Sequence, residues 1–249
     1  MPPPRGLKPA GLILVDKPAG PSSFEMIARI RRRTGARTGH AGTLDPFATG
    51  LLLVLSGSAT RLAPWLVGLD KRYLTDVDLS ARTSTGDTEG EVVEELELLL
   101  RGEVELPIPA ASAVKIGGER AYRLHRRGEA PEMPLRCSRV DALDVIAYAD
   151  GVVRLDARVS SGTYVRAIAD ALGGHCRTLR RTEVGPFSVE EADEERILPP
   201  AELLPWLPAV EVSADEAAAI RTGRRHAEPE TRTVSEGELV AVGRVVMPG

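Results

Sequence analysis

The chain has 249 residues, 43% of them hydrophobic, with 32 Lys and Arg against 36 Asp and Glu and a formal charge of −4. That is enough apolar chain for one large domain with a true core and a small second one. No stretch approaches the roughly 18 consecutive apolar residues of a membrane-spanning helix. The two cysteines, Cys137 and Cys176, lack CxxC or Cys/His ligand spacing, which argues for a reducing cytoplasmic setting without structural zinc.

Residues 1–10 carry no apolar signal core and read as a flexible tail. Gly11 to Val15 reads as a strand, ended by the turn Asp16-Lys17-Pro18-Ala19-Gly20. Ser22 with Glu25 forms a capping box that opens a helix, with Phe24, Ile27 and Ile30 inward and its arginines outward, stopped at Gly35. Next comes Gly39-His40-Ala41-Gly42-Thr43-Leu44-Asp45-Pro46-Phe47-Ala48-Thr49-Gly50, a glycine-rich loop carrying a single acid. Pro46 biases Asp45 towards extended backbone. The run Leu51 to Leu55 reads as a buried strand that holds this loop. A polar, bendable loop on a rigid element is where functional residues gather.

Lys71 to Leu79 places Tyr73, Thr75, Val77 and Leu79 on one face, as a half-buried strand does. Residues 107–139 are dense in prolines, glycines and bases and read as an arm projecting from the sheet. Val140 to Ala149 and Val152 to Val159 flank Asp150-Gly151, which suits a type I′ hairpin. Thr163 to Leu172 has helical spacing of Val165, Ile168, Ala169 and Leu172, ends at Gly173-Gly174, and leaves Arg166 outside the apolar stripe. A proline-rich linker follows over 198–208. Beyond it, Ser213 and Glu216 cap a short helix, and Gly237 to Val246 reads as two short strands. The expected fold is α+β: a mixed, mostly antiparallel sheet with flanking helices over 11–205, and a small β-rich module over 206–249.

Net acidity argues against nucleic acid, but the bases are clustered. Arg29, Arg31, Arg32, Arg33 and Arg37 form one group. Lys115, Arg120, Arg123, Arg126, Arg127, Arg136 and Arg139 form a second, and Arg177, Arg180 and Arg181 a third. The acids concentrate at Asp87 to Glu105, Glu190 to Glu195 and in the C-terminal region. A charge run is commonly a solvated face; three beside candidate site motifs favour an RNA-facing surface.

The block Gly39 to Gly50 resembles the catalytic motif of the TruB family of tRNA pseudouridine synthases. Further blocks resemble that family in the same order: Gly11 to Pro18 with Gly20, Ser22 and Ser23; Lys71-Arg72-Tyr73; Ser112-Ala113-Val114-Lys115 with Gly118, Tyr122 and Gly128; Gly162 to Arg166; and Leu179 to Thr182 with Gly185 and Phe187. Each block alone is weak, and the ordered set is specific.

The resemblance implies isomerisation of uridine to pseudouridine at position 55 in the TΨC loop of tRNA, on a flipped-out base. Asp45 is then the catalytic carboxylate, as nucleophile at C1′ or base at C2′. Arg166 is its cationic partner, keeping a desolvated acid ionised. Tyr73 stacks on the base, Tyr164 and Leu179 line its pocket, and His40 contacts the flipped nucleotide. Lys17 and Pro18 shape the floor. Arg31, Arg32, Lys115, Arg123, Arg126 and Arg180 face the RNA backbone. The resemblance implies no metal or cofactor, no membrane and no obligate protein partner, hence a cytoplasmic monomer acting on the T stem-loop. A G-x-G-x-x-G or Walker-type loop is missing from the sequence, as a redox-neutral isomerisation allows.

Three departures from the family pattern stand out. Leu106 and Ala111 occupy places where the family carries glutamine and tyrosine, the segment from Gly173 to Leu179 is shortened, and the region after 206 is an abbreviated PUA-like module. Two rival functions remain on the residues alone. A non-catalytic RNA-binding module would have lost the acid, and a glycosidase would need a second, facing carboxylate.

Overall fold

The computed structural model describes residues 9–79, 101–112, 114–129, 131–223 and 230–243. The tail over 1–8, most of the acidic run after Asp87 and the end of the expected last strand (244–246) lie outside these residues.

Among the described residues ten strands form one sheet with few helices, an α+β fold whose pairings are antiparallel with one parallel exception. In chain order the first half comprises β1 (Gly11–Lys17), α1 (Ser23–Thr34), β2 (Thr38–His40), β3 (Thr49–Ser56), α2 (Ala63–Val67) and β4 (Lys71–Asp78). Next come β5 (Gly102–Pro107), β6 (Lys115–Ile116), β7 (Glu119–Arg120) and α3 (Ala121–Arg126). Then follow β8 (Leu135–Ala149), β9 (Val152–Val159), α4 (Val165–Ala171), β10 (His175–Val184), β11 (Phe187–Ser188) and β12 (Asp193–Leu198). The sheet runs β12-β1-β3-β10-β4-β9-β8-β5, with β11 on β10 and β2 on β3.

β3 is the centre of the molecule. Leu51 to Leu55 are all fully buried, because clusters of core side chains cover both faces of the strand. One edge pairs with β1 along its length from Gly50 to Ser56. The other edge is shared: β10 runs parallel to Thr49 and Gly50, and β2 pairs with Val54 to Ser56. Between these partners the edge is open to strands, and other groups fill it. Ala41 N donates to Leu53 O at 3.0 Å, and the Arg181 Nε donates to Leu51 O at 2.7 Å. Buried carbonyls demand donors, so a guanidinium completes the ladder here.

Local signals account for most elements. Ser22 and Glu25 form the capping box of α1, and Gly35 is its left-handed C-cap. Asp150 and Gly151 both have positive φ between β8 and β9, as a type I′ turn requires. β4 buries Lys71, Tyr73, Thr75 and Val77 on one face. Val165, Ile168, Ala169 and Leu172 are buried, as the helical spacing predicts.

Several expectations need correction. Phe24 is 69% exposed, whereas Ser23, Met26, Ile27 and Ile30 face the core. The Ser23 side chain is bonded to the Leu44 backbone, and this sets the helix rotation. The first strand continues through Lys17, and α4 starts at Val165 after Tyr164 as N-cap. Within 107–139, the span that reads as an arm in the sequence, Pro107 belongs to β5 and residues 135–139 to β8, which pair with one another. At the C-terminal end, β13 (Ala209–Glu211), α5 (Ala214–Arg221), β14 (Arg232–Ser235) and β15 (Glu238–Val242) make a three-stranded sheet with one helix. Among the described residues, one of its strands, β15, lies within the expected span, and its antiparallel partner β14 precedes Gly237. Leu239 and Val242 pack against the cluster around Leu203 and Leu204, beside β1.

Candidate active site

Asp45 lies in the loop between β2 and β3, and the loop is tied down from three directions. From α1, Ser23 Oγ donates to Leu44 O at 3.0 Å and accepts from Leu44 N at 2.9 Å. Within the loop, Ala48 N donates to Asp45 O at 3.1 Å, closing a turn with Pro46 at its second position, where a fixed φ suits it. From below, Lys17 Nζ donates to Pro18 O at 2.8 Å, Pro21 O at 2.9 Å and Pro46 O at 3.1 Å. Lys17 is 0% exposed; burial pushes its pKa down, opposed by the Asp45 and Glu25 charges. It holds the site from beneath and does not line the cavity. Pro18 is exposed and contributes a carbonyl to this clamp.

Arg166, on the first turn of α4, reaches the acid. Its Nε donates to Asp45 Oδ2 at 2.8 Å and its Nη2 approaches Oδ1 at 3.4 Å. Nη2 also donates to Ala111 O at 3.1 Å. One planar guanidinium thus joins the acid, the helix and the arm in a geometry that an ammonium could not reproduce. Because the contact uses a carbonyl, the small Ala111 side chain leaves it intact.

A cavity of about 570 Å³ opens beside this pair. Tyr73 from β4, Leu179 from β10 and Tyr164 at the start of α4 line it together with Asp45 and Arg166. Among the described residues that line it, Asp45 is the sole acid, against Lys71, Arg126, Arg136, Arg166 and Arg181. That balance suits a polyanionic ligand. Among the described residues, no group of His, Cys, Asp and Glu could hold a metal ion.

The remaining expected site residues scatter. His40, on β2, is not among the lining residues; its Nδ1 is buried without a partner, and burial followed by the Arg181 charge pushes its pKa down. Arg126 lines the cavity, while Arg32, Lys115 and Arg123 are exposed. Arg123 and Arg126 stand 5.9 and 5.8 Å from the Tyr122 ring centroid, within cation–π range. Arg31 donates to Thr38, and Arg180 is bidentate to Asp16 at 3.0 and 2.8 Å. Both therefore have structural work inside the chain. Arg29 and Arg33 are likewise paired with Glu194 and Glu195 of β12.

Sequence reasoning missed two buried cations at the cavity, Lys71 and Arg181. Their signal was present: each lies two residues from a pocket residue on the same strand, Tyr73 and Leu179, and so shares its face. Arg181 is 1% exposed, and its Nη2 donates to Gly42 O at 3.1 Å. The same side chain therefore completes β3 and supports the Asp45 loop.

Known proteins share the fold that carries this site. A solved Cbf5-Nop10-Gar1 complex contains a chain with the same fold: TM-score 0.69, 26% identity, covering 92% of this chain and 76% of that one. A second structure, an H/ACA ribonucleoprotein bound to a substrate RNA containing 2′-deoxyuridine, shares the fold at TM-score 0.69 and 24% identity, over 94% of this chain and 79% of that one. The fold is that of a pseudouridine synthase. The model for the N-terminal domain of TruB family pseudouridylate synthases matches residues 30–165, and the chain belongs to that family. Proteins named tRNA pseudouridine synthase B are similar along almost the whole chain. The one from Mycobacterium sp. (strain KMS) is 40% identical, covering 96% of this chain and 84% of its own. That from Thermobifida fusca (strain YX) is 38% identical, covering 93% of each.

Proposed function

We propose that this protein isomerises uridine to pseudouridine at position 55 in the T loop of tRNA. The observation that carries the reading is the Asp45–Arg166 pair facing a cavity whose other charged lining groups are basic. A uridine turned out of its loop enters this cavity, at a cost of about a few kcal/mol for unstacking. Contacts from Arg126, Arg123, Lys115 and Arg32 to phosphates offset that cost. Asp45 then acts at the ribose, by attack on C1′ or by removing a proton at C2′, and the bond from C1′ to N1 breaks. The detached base is held against Tyr73 between Leu179 and Tyr164 while it turns. C5 bonds to C1′, C5 loses its proton and N1 gains one, so the overall change is an isomerisation without any donor or oxidant. Arg166 keeps the carboxylate ionised and aimed. His40 serves the nucleotide from behind the loop, as a neutral side chain. The three-stranded C-terminal sheet works as a reduced PUA-like module for the RNA, and the protein acts as a cytoplasmic monomer.

The lining residues disfavour the glycosidase alternative, because paired-carboxylate hydrolysis needs a second acid within about 5–10 Å and, among the described residues, none lines the cavity. The test is incubation with an unmodified tRNA transcript carrying tritium at uridine C5. Release of tritium and mapping of the product to position 55 are expected. No release, or product confined to another position, overturns the reading.

A further inference from the structure

Among the described residues three charged side chains are buried, and two of them already have work: Lys17 under the Pro46 turn and Arg181 at the break in β3. The third is Lys71, 6% exposed on the cavity wall. Its Nζ donates to Val67 O at 2.7 Å, to Leu69 O, and to Ser161 Oγ at 3.2 Å. Ser161 Oγ in turn donates to Val67 O. An ammonium has three protons, and all three are committed to protein acceptors, so none is left for a substrate. Val67 and Ser161 both line the cavity. Lys71 Cε also lies 3.9 Å from where a Cβ on Gly42 would stand, which puts the stem under the Asp45 loop.

We propose that Lys71 is a positioning residue for the isomerisation, its ammonium tying the α2–β4 turn to the β9–α4 loop. This rests on the functional reading above. The tie joins the elements that deliver the pocket side chains: Lys71 precedes Tyr73 by two residues, and Ser161 precedes Tyr164 and Arg166 on the way into α4. Holding these in one frame sets the distance between the ring and the acid–arginine pair. Small misplacements of such groups cost rate far more than binding.

The tie depends on protonation. Arg181 faces Lys71 from β10 and Asp70 from the preceding turn, with Arg136 of β8 and the Asp45–Arg166 pair on the same cavity wall. Asp70 is itself engaged by Arg139 at 3.0 Å. Burial, then the Arg181 charge, push the Lys71 pKa down to about 8, with Asp70 opposing. Above that pH the neutral amine has two protons for three acceptors, and its lone pair meets an oxygen. The folded pKa lies below the ordinary value of 10.5, so between about 8 and 10.5 the unfolded chain binds more protons and this group's contribution to stability rises with pH. Activity lost in that window through Lys71 is therefore not unfolding.

The experiment is single-turnover tritium release from a T stem-loop RNA between about pH 6.5 and about pH 9. RNA binding by fluorescence anisotropy and thermal melting accompany it. Wild type is expected to lose rate above about pH 8 at pH values where melting shows it still folded at the assay temperature. Lys71→Met is expected to lose about tenfold to hundredfold in rate at neutral pH, to keep its RNA affinity, and to lack the alkaline limb. Ser161→Ala removes one acceptor for the cation, so its limb moves to lower pH. Lys71→Met at the wild-type rate, or an alkaline limb that persists in it, overturns the proposal. Should Lys71→Met not fold, an unmoved limb in Ser161→Ala does so by itself. Absence of tritium release from wild type at every pH marks failure of the functional reading instead.

Discussion

At the scale of single residues, the division of labour follows from what each side chain has left to offer. Asp45 accepts one good bond from Arg166 and keeps accessible oxygen surface at the cavity. Asp45→Asn is expected to lower single-turnover rate by more than about 10⁴-fold, as removal of a nucleophile or base does, with RNA affinity unchanged within a few fold. Measurable turnover near wild type in that variant would exclude the assigned role. Arg166→Lys keeps the charge and loses the fork that spans Asp45 and Ala111 O. Its rate should fall by about 10²-fold, and an unchanged rate would mean that charge alone suffices. Tyr73→Ala should slow the reaction much more than it weakens RNA binding; equal losses would make the ring a packing element. Asp45, Arg166, Tyr73, Tyr164 and Leu179 were all legible in the sequence because they sit in ordered motifs. His40 was legible as part of the same motif, yet it sits half-buried on β2 and is not among the residues that line the cavity.

Elements were readable wherever a local signal decides them, and obscure wherever a distant neighbour does. Capping boxes at Ser22 and Ser213, the Asp150-Gly151 turn and the alternation of β4 are properties of a few adjacent residues. The rotation of α1 is different. Periodicity alone allows Phe24 to point inward, and the bonds from Ser23 to Leu44, far along the chain, turn it to solvent. The start of β8 was obscure for a similar reason: 135–139 have weak apolar pattern, but β5 across from them supplies the hydrogen bonds. The shared edge of β3 was invisible, because its second and third partners come from opposite ends of the catalytic region. Gly50 marks the place. Its φ is +100°, and a Cβ would lie 2.1 Å from Arg181 O. Gly50→Ala therefore combines backbone strain of about 1–3 kcal/mol with overpacking of about 1–3 kcal/mol. Chemical denaturation should show a loss of roughly 2–6 kcal/mol, and a loss under 1 kcal/mol would mean the β3–β10 junction yields easily.

For the whole molecule, a net charge of −4 coexists with a basic cavity because many arginines are spoken for at home. Arg29, Arg33, Arg72 and Arg180 are paired across elements, which leaves Arg32, Lys115, Arg123 and Arg126 better placed for phosphates. RNA affinity should thus fall with salt, and Arg123→Gln should reduce the slope by about 0.7–0.9 per lost phosphate contact. An unchanged slope would mean that Arg123 does not meet the backbone, whereas the same loss from Arg180→Gln would mean its pair with Asp16 opens for RNA. The guanidinium that completes β3 has a temporal consequence as well. Gly42 and Leu51 emerge early from the ribosome, and the side chain that satisfies both carbonyls arrives 139 and 130 positions later. A nascent chain halted before β10 owns the acid but neither Arg181, which bonds the Gly42 and Leu51 carbonyls, nor Leu179. Competence for chemistry is thereby switched on late in synthesis, and a truncated product would be left without a working pocket.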